Sequence, residues 1–282
     1  MNIINAIINL VNNPVVEVTT TYKNKNRANS AGDALEEYVK DLFAGTFSES
    51  KKERIEKWND VFSYLGGSNS PPDAMLKAGD AIEVKKIESD SKIALNSSYP
   101  KHKLYCDDPK ITRKCRESEE WSEKDIIYVV GIVNEGELKS LCMVYGLNYC
   151  ASKNCYENLL NNIKEGVSSI SDIDFCETKE IAHINGVDPL KITYMRVRGM
   201  WGIENPWNVF DYIYERNQKA KFNFMCIIDK EKWASFENTN DLELLSISNE
   251  TLKIDDVKIQ DPDNPAQLID AKLISITIQE GK

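Results

Sequence analysis

The chain has 282 residues, 41% of them hydrophobic and 28% charged, with a formal net charge of −10. This composition excludes a disordered chain and leaves room for one large domain or two small ones with a real core. No apolar run approaches the ~18 residues that a membrane helix needs, and the acidity argues against an indiscriminate nucleic-acid binder.

The opening MNIINAIINLVNN places Ile3, Ile4, Ile7, Ile8 and Val11 at helical spacing without a basic leader, so it predicts a helix and no signal peptide. A polar stretch follows. Ser30 or Asp33 then caps a second helix, ALEEYVKDLFAG, whose apolar stripe is Leu35, Val39, Leu42 and Phe43 and whose stop is Gly45. KKERIEKWNDVFSYL (51–65) predicts a third helix, ended by Gly66 and Gly67. PDAML and AIEVKKI read as two strands joined by a KAGD turn, with Glu83 and Lys85 on one face of the second. DIIYVVGIV (125–133) and LCMVYGLNY (141–149) are β-branched and nearly all apolar, as in strands covered on both faces. ENLLNNIKEGVSSI (157–170) predicts a helix, and KITYMRVRGMWG (191–202) a strand that runs into a loop. Pro206 opens a helix over WNVFDYIYERN, KFNFMCIID (221–229) is a strand, and the acidic tail ends in the strand LISITI. The pattern is α/β, most simply a single domain over 1–282. Seven cysteines, an odd number with no CxxC, suit reduced thiols of a cytosolic protein better than a disulfide framework or a zinc site.

PPDAMLKAGDAIEVKK (71–86) carries the chemistry. If its strands pair across the turn, Asp73 can face Glu83, and two close carboxylates call for a cation between them. Oxygen ligands suit a hard cation such as Mg²⁺, with the Val84 carbonyl as a further ligand. Lys85 would then stand beside the metal, able to hold a phosphate oxygen and to orient or deprotonate water. Glu36 on the upstream helix could add a more distant carboxylate. Asp80 is a rival for the first carboxylate, but its place in the turn ranks it below Asp73. The competing reading is a solvated strand face, because E-x-K is common in strands.

The same stretch resembles the signature of the PD-(D/E)xK nuclease superfamily. Together with MNIINAIINLVNNP, NRANSAGDALEEYVKDLFAG, WNDVFSYLGGSNSPPDAMLKAGDAIEVKKIES and IALNSSYPKHKL, it is similar to the NgoPII-type restriction endonucleases. The resemblance covers the N-terminal half most strongly. It implies a restriction-endonuclease-like mixed central sheet flanked by helices. It also implies a Mg²⁺-dependent enzyme that cuts both strands of double-stranded DNA at GGCC. Asp73 and Glu83 match the metal-binding acids, Lys85 the catalytic lysine and Glu36, more loosely, the helix glutamate. A bacterial cytoplasmic location and a cognate DNA methyltransferase acting on the same site follow from such a system. A homodimer is the simplest reader of a palindrome.

For a G·C-only site, guanine N7 and O6 call for arginine or lysine. Arg196 and Arg198, two apart on a predicted strand, are the first candidates, with Asn205 and Asn208 for base edges, in a recognition and accessory region around 150–282. Between 101 and 116 six Lys or Arg stand against two Asp, although the chain as a whole is acidic. Lys101, Lys103, Arg113 and Lys114 are read there as phosphate contacts, with Asn96, Ser97 and Ser98 as neutral partners and Arg27 on a polar arm upstream. The alternatives are surface arginines paired to acids and a solvated basic segment. A structure-specific or repair nuclease of the same fold, and a noncatalytic DNA-binding protein, are the rival functions.

Overall fold

The computed structural model describes residues 1–14, 16–22, 30–47, 49–67, 70–171, 174–176 and 180–279. The N-terminal helix α1 (Ile3–Asn12) starts at an Asn2–Asn5 capping box and buries Ile3, Ile4, Ala6, Ile7 and Leu10. After the short α2 (Val18–Thr21), α3 (Ser30–Ala44) buries Leu35, Tyr38, Val39, Leu42 and Phe43. It ends at Gly45 with a left-handed φ of 66°, which a glycine adopts without strain.

Helix α4 (Lys51–Val61) is capped by Ser50 and stops four residues earlier than its sequence suggests. Phe62 to Gly67 form β1 (Phe62–Gly67), which pairs antiparallel with β2 (Ser70–Leu76). Trp58, Val61, Phe62 and Leu65 keep helical spacing, yet the ladder to β2 decides the conformation. Strand β3 (Ala81–Ile87) returns antiparallel to β2. The short strands β4 (Ile93–Asn96) and β5 (Lys103–Tyr105) follow, then α5 (Arg113–Arg116).

The centre is β6 (Glu123–Asn134) and β7 (Glu137–Tyr145), and α6 (Gly146–Tyr149) takes over where LCMVYGLNY was read as strand throughout. Helix α7 (Lys153–Ser168) comes next. It is followed by the three-stranded sheet of β8 (Asp174–Cys176), β9 (Ala182–Asn185) and β10 (Tyr194–Val197). The predicted strand 191–202 is thus two strands in two sheets: β11 (Trp201–Ile203) leaves β10 and pairs with β4 instead. Only four residues after Asn205 are helical, α8 (Pro206–Val209), where a longer helix was expected. The chain closes with β12 (Phe222–Asp229), α9 (Lys230–Ala234), α10 (Thr239–Ser248), β13 (Leu252–Gln260) and β14 (Leu268–Ile278).

Among the described residues the main sheet has nine strands in the order β1-β2-β3-β6-β7-β12-β14-β13, with β5 paired to β6 off this path. It is mixed: β3 with β6 and β7 with β12 are parallel, the other neighbours antiparallel. Ile127 and Val129 belong to one apolar cluster with α1 and α3, whereas Ile126, Tyr128 and Val130 belong to a second with Tyr149, Trp207 and Phe210. That alternation explains the continuous apolar runs, because both faces are covered. This is the expected α/β architecture. No helix among the described residues is long and apolar enough to cross a membrane.

Candidate active site

The β2–β3 hairpin sets the geometry. Ala74 pairs with Ile82 and Met75 with Ala81, so one step further along the same register Asp73 stands opposite Glu83. Asp73 Oδ2 accepts the Val84 N–H at 2.7 Å, which fixes the carboxylate against β3. Glu83 Oε1 accepts from Lys85 Nζ at 2.6 Å, while Glu83 Oε2 is buried without a hydrogen-bond partner. Gly66 makes the close approach of β1 feasible. A Cβ there would lie 2.5 Å from the Pro72 carbonyl oxygen and 2.9 Å from Asp73 Cα.

Electrostatics follow from this crowding. Burial, and then the charge of Asp73, push the Glu83 carboxyl up to about 7, with Lys85 pulling the other way. Burial also raises Asp73, opposed by Lys85, the Val84 N–H and Lys40. Burial disfavours the charge on Lys85, but Glu83, Asp73 and Glu36 outweigh it and hold the ammonium above its ordinary range. Glu36, on α3, is raised by burial and by Asp73, so the upstream helix does bring its carboxylate into the field of the hairpin. Lys40 escaped the sequence reading. It lies 3.7 Å from Glu36 and 5.9 Å from the centre of the Trp58 ring. Its place four residues after Glu36 was the available signal.

Asp80, the rival carboxylate, is committed elsewhere. It accepts the Tyr145 hydroxyl at 2.7 Å and Lys232 Nζ at 2.8 Å, and the same ammonium bonds Asp125 at 2.6 Å. Among the described residues no group of three or more His, Cys, Asp and Glu side chains converges as a metal cage. Asp73 and Glu83 still fit a hard cation: both donors are oxygen, burial pushes both carboxyls up despite Lys85, and Glu83 Oε2 lacks a partner. Mg²⁺ is commonly held by one or two carboxylates, with water and phosphate completing its shell.

Asp73, Glu83 and Lys85 line a cavity of about 200 Å³ together with Ser97, Tyr99 and Lys101. A larger cleft of about 790 Å³ shares the wall Asn96–Tyr99 and continues to α7, Glu180, Arg198 and Trp201. Asn96, Ser97 and Ser98 therefore stand between the two spaces, with Asn96 at a left-handed φ of 54°. Tyr99 anchors the wall by stacking on Tyr156 and meeting Trp201 edge-on.

The other sequence candidates are placed less uniformly. Lys101 is buried on Asp108 beneath the Tyr99 ring, so it lines the cavity and is not the free phosphate contact expected. Lys103 pairs with Glu123 and Asp125, Arg113 is exposed and pairs with Glu117, and Lys114 is exposed. Asn205 is fully buried and caps α8 by accepting the Trp207 N–H, which corrects its assignment as a base reader. Asn208 is exposed and donates to Glu204 and to the Asp90 carbonyl. Arg196 and Arg198 share one face, as predicted, and both bind Glu180. Arg27 lies outside the described residues. The seven cysteines carry free thiols, and burial pushes Cys115 up to about 11.

The sequence profile of the NgoPII restriction endonuclease family matches residues 1–260. The chain belongs to the NgoPII restriction endonuclease family. The match continues through most of the second half, beyond the N-terminal half in which the motif resemblance is strongest. The chain is also similar to the type II restriction enzyme NgoPII of Neisseria gonorrhoeae, 59% identical over 277 residues that cover 98% of this chain and 99% of that protein. No solved structure matches the chain. As a family member it is a type II restriction endonuclease, a site-specific deoxyribonuclease.

Proposed function

We propose that this NgoPII-family endonuclease hydrolyses phosphodiester bonds of double-stranded DNA at GGCC, with Mg²⁺ held by Asp73, Glu83 and the Val84 carbonyl. The observation that carries the reading is the partnerless, buried Glu83 Oε2 on the residue opposite Asp73. When bound, the metal supplies Lewis-acid polarisation of the phosphoryl group and a more acidic water. The chain's own residues do the rest. The Val84 N–H orients Asp73, and Glu83 holds the Lys85 ammonium within the cavity. From there Lys85 donates to a phosphate oxygen and offsets the charge that develops on it. Glu36 and Lys40 balance each other beside the acids and set the local field.

DNA would lie along the larger cleft, read by Arg196, Arg198 and Asn208, with Asn96, Ser97 and Ser98 at the phosphate nearest the acids. Lys103, Arg113 and Lys114 lie outside this centre and contribute as flanking phosphate contacts. The region 150–282 works with the nuclease half as one unit. Support for this is that β12, from the second half, pairs with β7 in the same sheet. A two-fold homodimer matches a palindrome, and a cognate methyltransferase would protect the same sequence in the bacterial cytoplasm.

The test is plasmid DNA with Mg²⁺ or with chelator, comparing the native chain with Asp73→Ala and Lys85→Ala. Discrete fragments ending at GGCC, lost in both variants, are expected. Calorimetric titration with Mg²⁺ should show binding to the native chain and to Lys85→Ala but weakened binding to Asp73→Ala. Cleavage only at branches or lesions would indicate a structure-specific enzyme. Metal-independent binding without any cleavage would sink the catalytic assignment.

A further inference from the structure

Glu180 belongs to none of the groups the chemistry above uses. It lies between β8 and β9, two residues before β9 begins, and it faces the larger cleft together with Arg198. Its two oxygens bind both candidate reading arginines. Arg196 donates Nε–H to Oε2 at 2.8 Å and an Nη2–H to Oε1, and Arg198 donates Nε–H to that same Oε1 at 2.6 Å. The pairing comes from the fold. Residues 196 and 198 lie two apart on and just beyond β10, which pairs antiparallel with β9, and Glu180 stands just ahead of β9. The arginine side chains remain about half exposed, at 47% and 53%, so they are held but not removed from solvent.

The cleft that Glu180 and Arg198 line is not a bare basic funnel. Its wall carries Lys110, Lys164 and Arg198 beside three acids, of which Glu180 binds Arg198, Asp108 binds Lys101 and Glu157 binds Lys153. A phosphate that competed for the guanidinium forks would have to displace Glu180 or stand beside it, and two anions at that distance repel. A guanine edge is neutral and offers N7 and O6 as acceptors, while its paired cytosine offers an N4 amino donor. A carboxylate between two guanidinium groups therefore suits a G·C pair: the arginines donate to guanine and the glutamate accepts from cytosine. Arg198 commits only its Nε–H to Glu180, so its terminal nitrogens serve this contact without breaking the pair.

We propose that Glu180 is a specificity-determining residue, which holds Arg196 and Arg198 for the edges of a G·C pair and suppresses their binding to bare phosphate. The inference rests on the reading of DNA by these two arginines put forward above.

The experiment uses the full chain in Ca²⁺ or without metal. Anisotropy is measured on a duplex containing GGCC and on one of equal composition lacking it, over roughly 50 to 200 mM salt. Glu180→Gln should bind the nonspecific duplex about tenfold more tightly at low salt, with a salt slope steeper by about 1–2. The cognate preference should fall by at least a comparable factor, and with Mg²⁺ cleavage should spread to sites one base removed from GGCC. Glu180→Asp should return part of the discrimination. The thermal midpoint should stay close to native, because exposed ion pairs add little to stability; a merely structural role would move the midpoint and leave the salt slope alone. Unchanged or weaker nonspecific binding by Glu180→Gln, while Arg196→Ala and Arg198→Ala lose cognate binding, overturns the role of Glu180 and leaves the arginines as readers. Native cognate binding by the double arginine variant overturns the reading itself, and the role of Glu180 with it.

Discussion

Glu83→Gln isolates the charge that the hairpin is built to hold. Folding buries this carboxyl opposite Asp73 and moves it from an ordinary 4.5 to about 7. A group raised on folding contributes its full stability below the unfolded value and loses it as pH rises through the folded one. For a shift in this direction, metal-free native protein should lose stability on the order of a few kcal/mol between roughly pH 5 and pH 8 from Glu83. Asp73 is raised as well and adds to the loss in the same direction. Glutamine keeps the shape and removes the titration. Glu83→Gln should therefore be the more stable protein near pH 8 in chelator, and the advantage should fade towards pH 5. Urea unfolding at several pH values reads this directly. Mg²⁺ should stabilise the native chain near pH 8 and leave the variant much less affected, and the variant should not cleave DNA. Parallel pH profiles for the two proteins in chelator would refute the reasoning, because Glu83 would then carry no charge penalty for a cation to relieve.

Gly66→Ala places a Cβ 2.5 Å from the Pro72 carbonyl oxygen and should push Asp73 from its register. A displacement of this kind costs about 10²-fold in cleavage rate while unfolding stays cooperative, and a native rate would show that the close strand approach is dispensable. Lys232→Ala leaves Asp80 and Asp125 without the cation they share. It should destabilise the fold by about 3 kcal/mol in urea titration, and a loss below 1 kcal/mol would mean that water replaces the ammonium.

The hairpin was legible because its signals are local. Asp73, the KAGD turn, Glu83 and Lys85 lie within one pair of strands, and alternation alone fixes which side chains share a face. The buried central strands announced themselves through unbroken β-branched runs. What escaped depended on partners distant in the chain. Nothing near Phe62 shows that β2 will claim it, and nothing near Asn205 shows that it will be buried as a cap. Lys101 looked like a free cation because its basic neighbours are visible in the sequence, whereas its burial against Asp108 and Tyr99 is not. Glu180 was hidden for the same reason: its two arginines lie 16 and 18 residues further along. Strand β13 was masked by Asp255 and Asp256, which interrupt an alternation otherwise visible in Leu252, Ile254, Val257 and Ile259.

The order of strands in the sheet bears on how the chain avoids aggregation through open strand edges. Strand β14 follows β12 and β13 in the chain, yet it lies between them, paired with β12 from Phe222 to Asp229 and with β13 from Leu252 to Gln260. The last strand of the chain thus enters by insertion and not by addition at the rim, where β13 stands. Before β14 docks, β12 offers an open ladder on one side and β13 has no neighbour in the sheet. Both are templates for a strand from another molecule. The hairpin and α3 draw on none of these pairings, so a molecule interrupted at this stage would carry its acids in place together with two adhesive edges elsewhere in the molecule. Aggregation, more than loss of catalytic groups, is then the hazard of damage to the β13–β14 turn.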